Sequence, residues 1–422
     1  MPVRHSRAYY VYLVLSAVTA FANTTMFTLL AVYKVQTVHL DALQLVLVGT
    51  VLETSYFLCE APTGAFADTF SRRLSVVLGM FVLGAGWLLE GSIPTFLAIL
   101  GGEVIIGLGE ALLSGAGQAW IADEVGEEQV GHVFVRSSQI GQLAAVIATV
   151  ASIALGTIAL NLPILAGGAL YIGLGGFLWI AMPETGFNPA PREDRTAWQA
   201  MRRTLAAGAR AVRGRPVLLS ILALSAVFGL ASEGYDRLWE AHLLTDIHLP
   251  ALGSLPPITW FGLINIGGMI LGVAGAQFIR RLVGTGRDRA VLRVLLVLQA
   301  LQIVRVGVFA FAGDFAVALA ALLTGGLLGG MAGPLYETWV TRAIDAPVRA
   351  TVLSFTNQAN AIAQVVGGPP VGLIGSLVSL PAALATTGLL QTPILWIYTR
   401  LLRRTAPDVV ARPALAGTEG DL

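Results

Sequence analysis

Charge is scarce in this sequence. Asp, Glu, Lys and Arg make up 12% of its 422 residues, about half the share found in a soluble domain. Hydrophobic residues make up 55%, and the mean hydropathy is +0.75. Together these exclude a soluble globule, or one held by a single anchor, and point to a polytopic membrane protein. Cysteine occurs once, as Cys59 inside an apolar run. No internal disulfide can form, so cysteine usage does not fix the redox compartment. Lysine also occurs once, as Lys34; every other basic residue is arginine. A formal net charge of +1 leaves no basic excess to hold nucleic acid. The five histidines are scattered. No zinc spacing, nucleotide-binding glycine loop or nucleophile–base pattern occurs. We therefore expect no enzyme, no metal and no cofactor; binding and proton transfer remain.

What the chain has in quantity is long apolar runs. A membrane helix needs roughly 20 mostly apolar residues. Twelve runs meet this, near 10–33, 42–67, 74–93, 95–121, 137–160, 163–182, 217–244, 257–279, 291–312, 315–340, 353–375 and 380–401. None alternates as a barrel strand does. Arg4 and Arg7 precede the first run in the manner of a signal sequence. That run is too long for a signal core and lacks a cleavage site, so it reads as a retained first helix. With both termini cytoplasmic, the inner loops receive Arg72, Arg73, the arginines from Arg192 to Arg215 and from Arg280 to Arg293, Arg342, Arg349, and those from Arg400 to Arg412. The outer loops receive little beyond Lys34. This is the positive-inside pattern. It predicts a multi-pass protein of the inner (plasma) membrane.

The one long polar interruption, residues 184–215, contains Pro189, Pro191 and many charges, then a stretch from Trp198 to Arg213 that fits an amphipathic surface helix. It reads as a linker between two bundles, with a regulatory role as the alternative. An internal repeat supports two halves. Trp120 and Trp339 are 219 apart, and Leu15-Ser-Ala-Val18 meets Leu224-Ser-Ala-Val227 at an offset of 209. Gly64 to Arg73 meets Gly272 to Arg281 at 208, sharing Gly, Phe and the Arg pair, with Ala276 in place of the acid. The expected organisation is an all-α membrane protein: a six-helix bundle over 1–183, a cytoplasmic linker over 184–215, a second six-helix bundle over 216–404, and a disordered cytoplasmic tail over 405–422.

Between the second and third runs lies Gly64-Ala-Phe-Ala-Asp68-Thr-Phe-Ser71-Arg72-Arg73. Gly64 is placed for close helix approach, Asp68 at the headgroup boundary, and Arg72 and Arg73 on the cytoplasmic side. The stretch resembles the G-x-x-x-D-x-x-G-R-R loop of the major facilitator superfamily. Ser71 stands for the usual Gly, and Thr69 for the usual basic residue. Met182-Pro-Glu-Thr-Gly186 is similar to a further family feature. The resemblance implies the MFS fold, with twelve helices in two pseudo-symmetric bundles, and a gating role for Gly64, Asp68, Arg72 and Arg73, with Asp123 and Arg136 as nearby partners. The fourth helix departs from the drug/proton antiporter pattern, because Glu103 sits where that pattern has arginine. The fifth lacks the antiporter G-P pair.

Carboxylates within the apolar runs carry the chemistry. Burying one charged at mid-membrane costs a few kcal/mol, so it is paired, protonated or facing water. Glu53 and Glu60 are seven apart, as are Glu103 and Glu110. Seven residues is nearly two turns, so each pair shares a face. Glu53, Glu110 and Glu233 are the candidate proton-coupling residues; Glu90 reads as solvated. The seventh helix adds Asp236, Arg237 and Glu240, with a Glu233–Arg237 bridge one turn apart. Its acids serve cation or proton binding, or an ion-paired outer gate. Arg305, alone among basic residues in being deep in a run, is either a structural partner of a glutamate or a counter-charge for substrate. Asn23, Thr24, Asp236, Gln139, Asn357, Gln358 and Arg305 are the candidate substrate-cavity residues. Trp120, Trp339 and Tyr336 read as interfacial anchors. Gly325, Gly329 and Gly333, and Gly268 with Gly272, read as helix packing.

The expected function is secondary active transport by alternating access, with proton-coupled efflux of a small lipophilic compound or drug, resembling drug/proton antiporters. Proton symport or facilitated uptake of a small nutrient is the alternative, and a non-transporting membrane sensor or scaffold the reading from another class. The expected partners are a small-molecule substrate, protons and the lipid bilayer, with no nucleic acid, and the protein is expected as a monomer.

Overall fold

The computed structural model describes residues 6–189, 197–282, 288–345 and 348–404. The predicted tail over 405–422 and part of the linker lie outside the described residues. Among them, sixteen helices and no strand are present. The first half holds α1 (Arg7–Phe27), α2 (Leu30–Gln36), α3 (Ala42–Thr69), α4 (Arg72–Ser92), α5 (Phe96–Leu113), α6 (Ala116–Val125), α7 (Glu127–Gly156) and α8 (Leu162–Ala181). After α9 (Ala197–Val212), the second holds α10 (Pro216–Thr245), α11 (Thr259–Leu282), α12 (Asp288–Ala310), α13 (Phe315–Ala343), α14 (Arg349–Leu377), α15 (Leu380–Leu390) and α16 (Thr392–Arg404).

Read as membrane passes, α1 with α2, α5 with α6, and α15 with α16 are single crossings interrupted once, which gives the twelve expected. The break between α5 and α6 falls at Gly115, whose φ of 70° suits a residue without Cβ. Polar residues set the starts. Asp41 and Gln44 form a capping box on α3, Ser71 caps α4, Thr95 caps α5 and Asp314 caps α13. Among the described residues, 11 passes are long and apolar enough to cross a membrane. The twelfth, α14, falls short because Asn357, Gln358, Asn360 and Gln364 interrupt it. It also runs through Pro369 and Pro370.

Arg7 donates to the Ile180 carbonyl at 2.9 Å, so the first pass begins where the sixth ends. We call this the terminal end and its opposite the far end. Buried apolar side chains form three clusters. One lies within the first half, around Met26, Met80 and Trp120. One lies within the second, around Leu224, Leu295 and Trp339. The third joins the halves at the far end: Leu45, Val46 and Val48 of α3 pack with Leu238, Leu243 and Val371. There the Leu43 amide also donates to Ser376 at 2.8 Å. At the terminal end α9 packs against α3 and α14, with Gly208 against Phe355. The far end is therefore sealed by direct packing of the two halves.

Several expectations change. Lys34 is a buried side chain, 4% exposed, not a loop residue, and Glu90 is 0% exposed, not solvated. Trp120 and Trp339 are core residues; Trp120 donates its indole N–H to the Pro183 carbonyl. The match of Gly64–Arg73 with Gly272–Arg281 is out of register, since Arg72 and Arg73 open α4 whereas Arg280 and Arg281 close α11. A Cβ on Gly64 would meet nothing, so no helix approaches there in this conformation. The stripe Gly325, Gly329, Gly333 is not the packing face of α13. Gly326 and Gly330, one residue on, carry that contact against the backbone of Gly268 and Gly272.

Candidate functional site

Each half holds a cavity of its own, open on one side. In the first, about 350 Å³ is lined by Thr19, Asn23, Tyr56, Trp87, Glu110, Ser114 and Tyr171. Tyr171 donates to Asn23 Oδ1 at 2.6 Å, which fixes the amide, and the Tyr56 and Ser114 hydroxyls are 2.9 Å apart. Glu110 enters from α5 one turn before the Ser114–Gly115 break. Among the described residues it forms no ion pair. Glu53 lies within electrostatic reach of it, and also of Glu233 and Arg237 across the interface. The acids singled out in the sequence thus share one neighbourhood.

In the second half, about 410 Å³ is lined by Ser232, Tyr235, Asp236, Gln299, Gln302, Arg305, Gly329, Gly333, Tyr336, Gln391 and Tyr398, with apolar walls from Phe228, Leu295, Leu298 and Leu328. Arg305 is 7% exposed. Its Nη1 donates to the Tyr235 hydroxyl at 2.7 Å and its Nε to Gln302 Oε1 at 3.2 Å, and the guanidinium lies over the Tyr235 ring. No glutamate pairs with it among the described residues, so the structural ion pair considered for it is absent. Gly325 leaves the room that the guanidinium fills.

The two cavities are copies of one another. Thr19 and Asn23 correspond to Phe228 and Ser232 at an offset of 209. Trp87, Glu110, Leu113 and Ser114 correspond to Val306, Gly329, Ala332 and Gly333 at 219. The offsets read from the sequence for its first helix and for its tryptophans therefore recur in the walls. Where the first copy has a carboxylate, Glu110, the second has a glycine. Charge enters the second copy instead through Asp236 and Arg305.

Beyond the cavities, toward the far end, lies a buried ion network. Lys34 Nζ is 3.0 Å from Glu90 Oε1 and 2.9 Å from Glu103 Oε1, all three side chains being at most 5% exposed. Glu103, in the place of the antiporter arginine, is thus paired with a base from another helix. Tyr33 donates to the Glu90 carbonyl at 2.9 Å. In the other half Arg237 bonds Glu233 at 2.9 Å, as the one-turn spacing predicts. Gly49 of α3 cradles that pair, because a Cβ there would fall on the Glu233 carboxylate. Glu240 and Arg237 lie within electrostatic reach of Lys34, so the network crosses between halves.

The terminal-end motif is paired within its own half. Arg72 bridges Asp123 directly and Asp68 at 3.6 Å, and donates to the Ala119 carbonyl. Glu184 accepts from the Ser71 hydroxyl at 2.7 Å and from the Arg73 amide at 2.9 Å. Arg73 also reaches the Trp179 carbonyl. Arg136 is not a partner; it donates to Gln139. Four predicted cavity residues line neither cavity. Gln139 and Asn357 are exposed elsewhere, Gln358 is buried with its carbonyl oxygen unpartnered, and Thr24 accepts from Thr28 through its own backbone. Sequence reading passed over Tyr171, Gln299 and Gln302. The last two sit at three-residue steps before Arg305, a polar helical face that was open to view.

The family model of the Major Facilitator Superfamily matches residues 13–368. An uncharacterised MFS-type transporter of Bacillus subtilis (strain 168), YxaM, is 27% identical over 142 residues. That match spans 34% of this chain and 35% of the relative, about a third of its length. Among solved structures, the nucleoside transporter NupG superposes with a TM-score of 0.74 at 14% identity, covering 96% of this chain and 100% of that one. A POT family transporter in complex with a thioalcohol-conjugated peptide gives 0.72 at 13% identity, covering 95% and 97%. A bacterial homologue of the human lysosomal transporter Spinster, inward-facing and occupied, gives 0.69 at 15%, covering 95% and 97%. At these identities the likeness is one of fold. With the family model spanning both halves, the chain belongs to the Major Facilitator Superfamily of membrane transporters.

Proposed function

We propose that the protein is a proton-coupled secondary transporter that exports a small, largely apolar compound bearing a cationic group. The two bundles, 1–183 and 216–404, rock about the cavities, with 184–215 as their cytoplasmic linker. The positive-inside pattern supports a cytoplasmic terminal end, and on that reading the conformation described is closed to the outside.

One observation carries the reading. Glu110 is a carboxylate opening into a cavity with no basic partner, whereas Glu103 and Glu233 are held in ion pairs. An acid in low dielectric takes up a proton readily and gives it up when a cation approaches. Competition of proton and cargo for one carboxylate, exposed to each side in turn, is antiport. Glu53 is the relay residue beside it. The paired Glu233, bonded to Arg237, belongs with the closure at the far end.

Cells lacking the protein are expected to accumulate more of a lipophilic dye that bears a cationic group than cells expressing it, and Glu110→Gln is expected to behave as the deletion. Lower accumulation without the protein overturns export. It favours the second reading, nutrient symport, for which the polar wall of the Arg305 cavity is the supporting observation.

A further inference from the structure

The cavity of the second half contains two opposite charges that are not joined in an ion pair. Asp236 comes from α10 and Arg305 from α12, and no ion pair joins them among the described residues. Arg305 is more than nine-tenths buried, yet only its Nε and Nη1 are engaged, by Gln302 and Tyr235. Its Nη2 has no hydrogen-bond partner among the described residues. An arginine stays charged at any working pH and presents a planar fork that matches a carboxylate. Facing the cavity and left half-engaged, that fork is completed by an anion. A cargo bearing only positive charge would meet repulsion here. One bearing only negative charge would meet it at Asp236.

We infer that the cavity between Asp236 and Arg305 binds a zwitterion, with its ammonium at Asp236, its carboxylate at Arg305 and an apolar body against Phe228, Leu295 and Leu328. The volume, about 410 Å³, falls in the range of small-molecule sites, about 300–1,000 Å³. The inference rests on the transport reading and narrows its cargo from a cation to an amphoteric molecule. Gly329 and Gly333 then serve to keep the chamber empty. A Cβ at either would meet nothing, and both face the space that the cargo fills.

The test is equilibrium binding to the purified full-length protein, with tryptophan, its amide (ammonium only) and N-acetyltryptophan (carboxylate only) as probes. Tryptophan is expected to bind at least about 10-fold more tightly than either. Asp236→Asn removes its advantage over N-acetyltryptophan, and Arg305→Gln its advantage over the amide. Should Arg305→Gln fail to fold, Gly329→Leu fills the chamber without removing a bond and is expected to abolish binding of all three. Equal affinities, binding of none at millimolar concentration, or full tryptophan affinity in Gly329→Leu overturns the inference. Because binding is read without a gradient, a loss of proton coupling leaves the result unaffected. Gradient-driven flux with equal affinities overturns this inference alone.

Discussion

Removing an ammonium group from water costs several kcal/mol unless good partners replace the solvent. Lys34 has two such partners, Glu90 and Glu103, and all three side chains are sealed. One base faces two acids, and Arg237 of the other half, itself bonded to Glu233, also lies within electrostatic reach. Lys34→Met is therefore expected to lower stability by about 3–5 kcal/mol, read as a melting temperature roughly 10 °C lower in detergent. Adding Glu90→Gln and Glu103→Gln should restore most of the loss. An unchanged melting temperature in the single variant would show that the triad contributes nothing. The acids of this network were legible in the sequence, because a glutamate inside an apolar run needs an explanation. Lys34 was not. Near the end of a run, a buried lysine has the same local sequence as a solvated one, and what decides is the arrival of Glu90 and Glu103 from two other helices. Arg305 was legible as an anomaly, but its neighbours Tyr235 and Gln302 were needed to decide between an ion pair with a glutamate and an open fork.

Among the helices, α13 and α11 cross on glycine. Gly326 and Gly330 lie on the backbone of Gly268 and Gly272, with no room for a side chain. Close approach of this kind is how helices associate where lipid offers no hydrophobic drive. Gly330→Leu should therefore abolish recovery of monodisperse protein, whereas Gly333→Ala, facing empty space, should fold as well as the parent. Equal recovery of the two would refute the assignment of faces. Only the stripe Gly325, Gly329, Gly333 was read in the sequence, although Gly326 and Gly330 form a second one beside it, and helical spacing alone cannot say which meets a neighbour. The motif between α3 and α4 behaves likewise. Its residues were identifiable, and Asp123 as a partner of Arg72 was foreseen. Gly64 faces open space in this conformation, which its spacing in the motif did not reveal. Asp68→Asn is expected to slow turnover by about 10-fold or more, with substrate affinity changed less than 2-fold, since the pair acts on the moving loop and not on cargo. A parallel loss of affinity would remove the gating role.

On the scale of the molecule, the halves repeat, and the repeat was readable from Leu15–Val18, Leu224–Val227 and the tryptophans at 120 and 339. One of the three sequence matches was out of register, because the segment between α10 and α11, residues 246–258, is eight residues longer than that between α2 and α3, residues 37–41. That insertion accounts for most of the shift in offset from 209 at the first helix to 219 at the third. What no sequence reading supplied is the conformation: sealed at the far end by Leu45, Val46 and Val371. Leu43 and Ser376 meet across that seal. In a Cys59→Ser background, cysteines at 43 and 376 should cross-link readily and stop transport until reduced. Free transport in the cross-linked protein would rule out opening at that end.

The central claim is that Glu110 exchanges a proton for cargo as the halves rock. Its most direct measurement uses purified protein in liposomes with an imposed pH gradient and a panel of labelled compounds. The parent protein should accumulate at least one compound against its concentration gradient, driven by the proton gradient. Glu110→Gln should keep exchange of that compound across the membrane and lose its accumulation. Undiminished accumulation in Glu110→Gln, or accumulation by the parent indifferent to the proton gradient, would contradict the account.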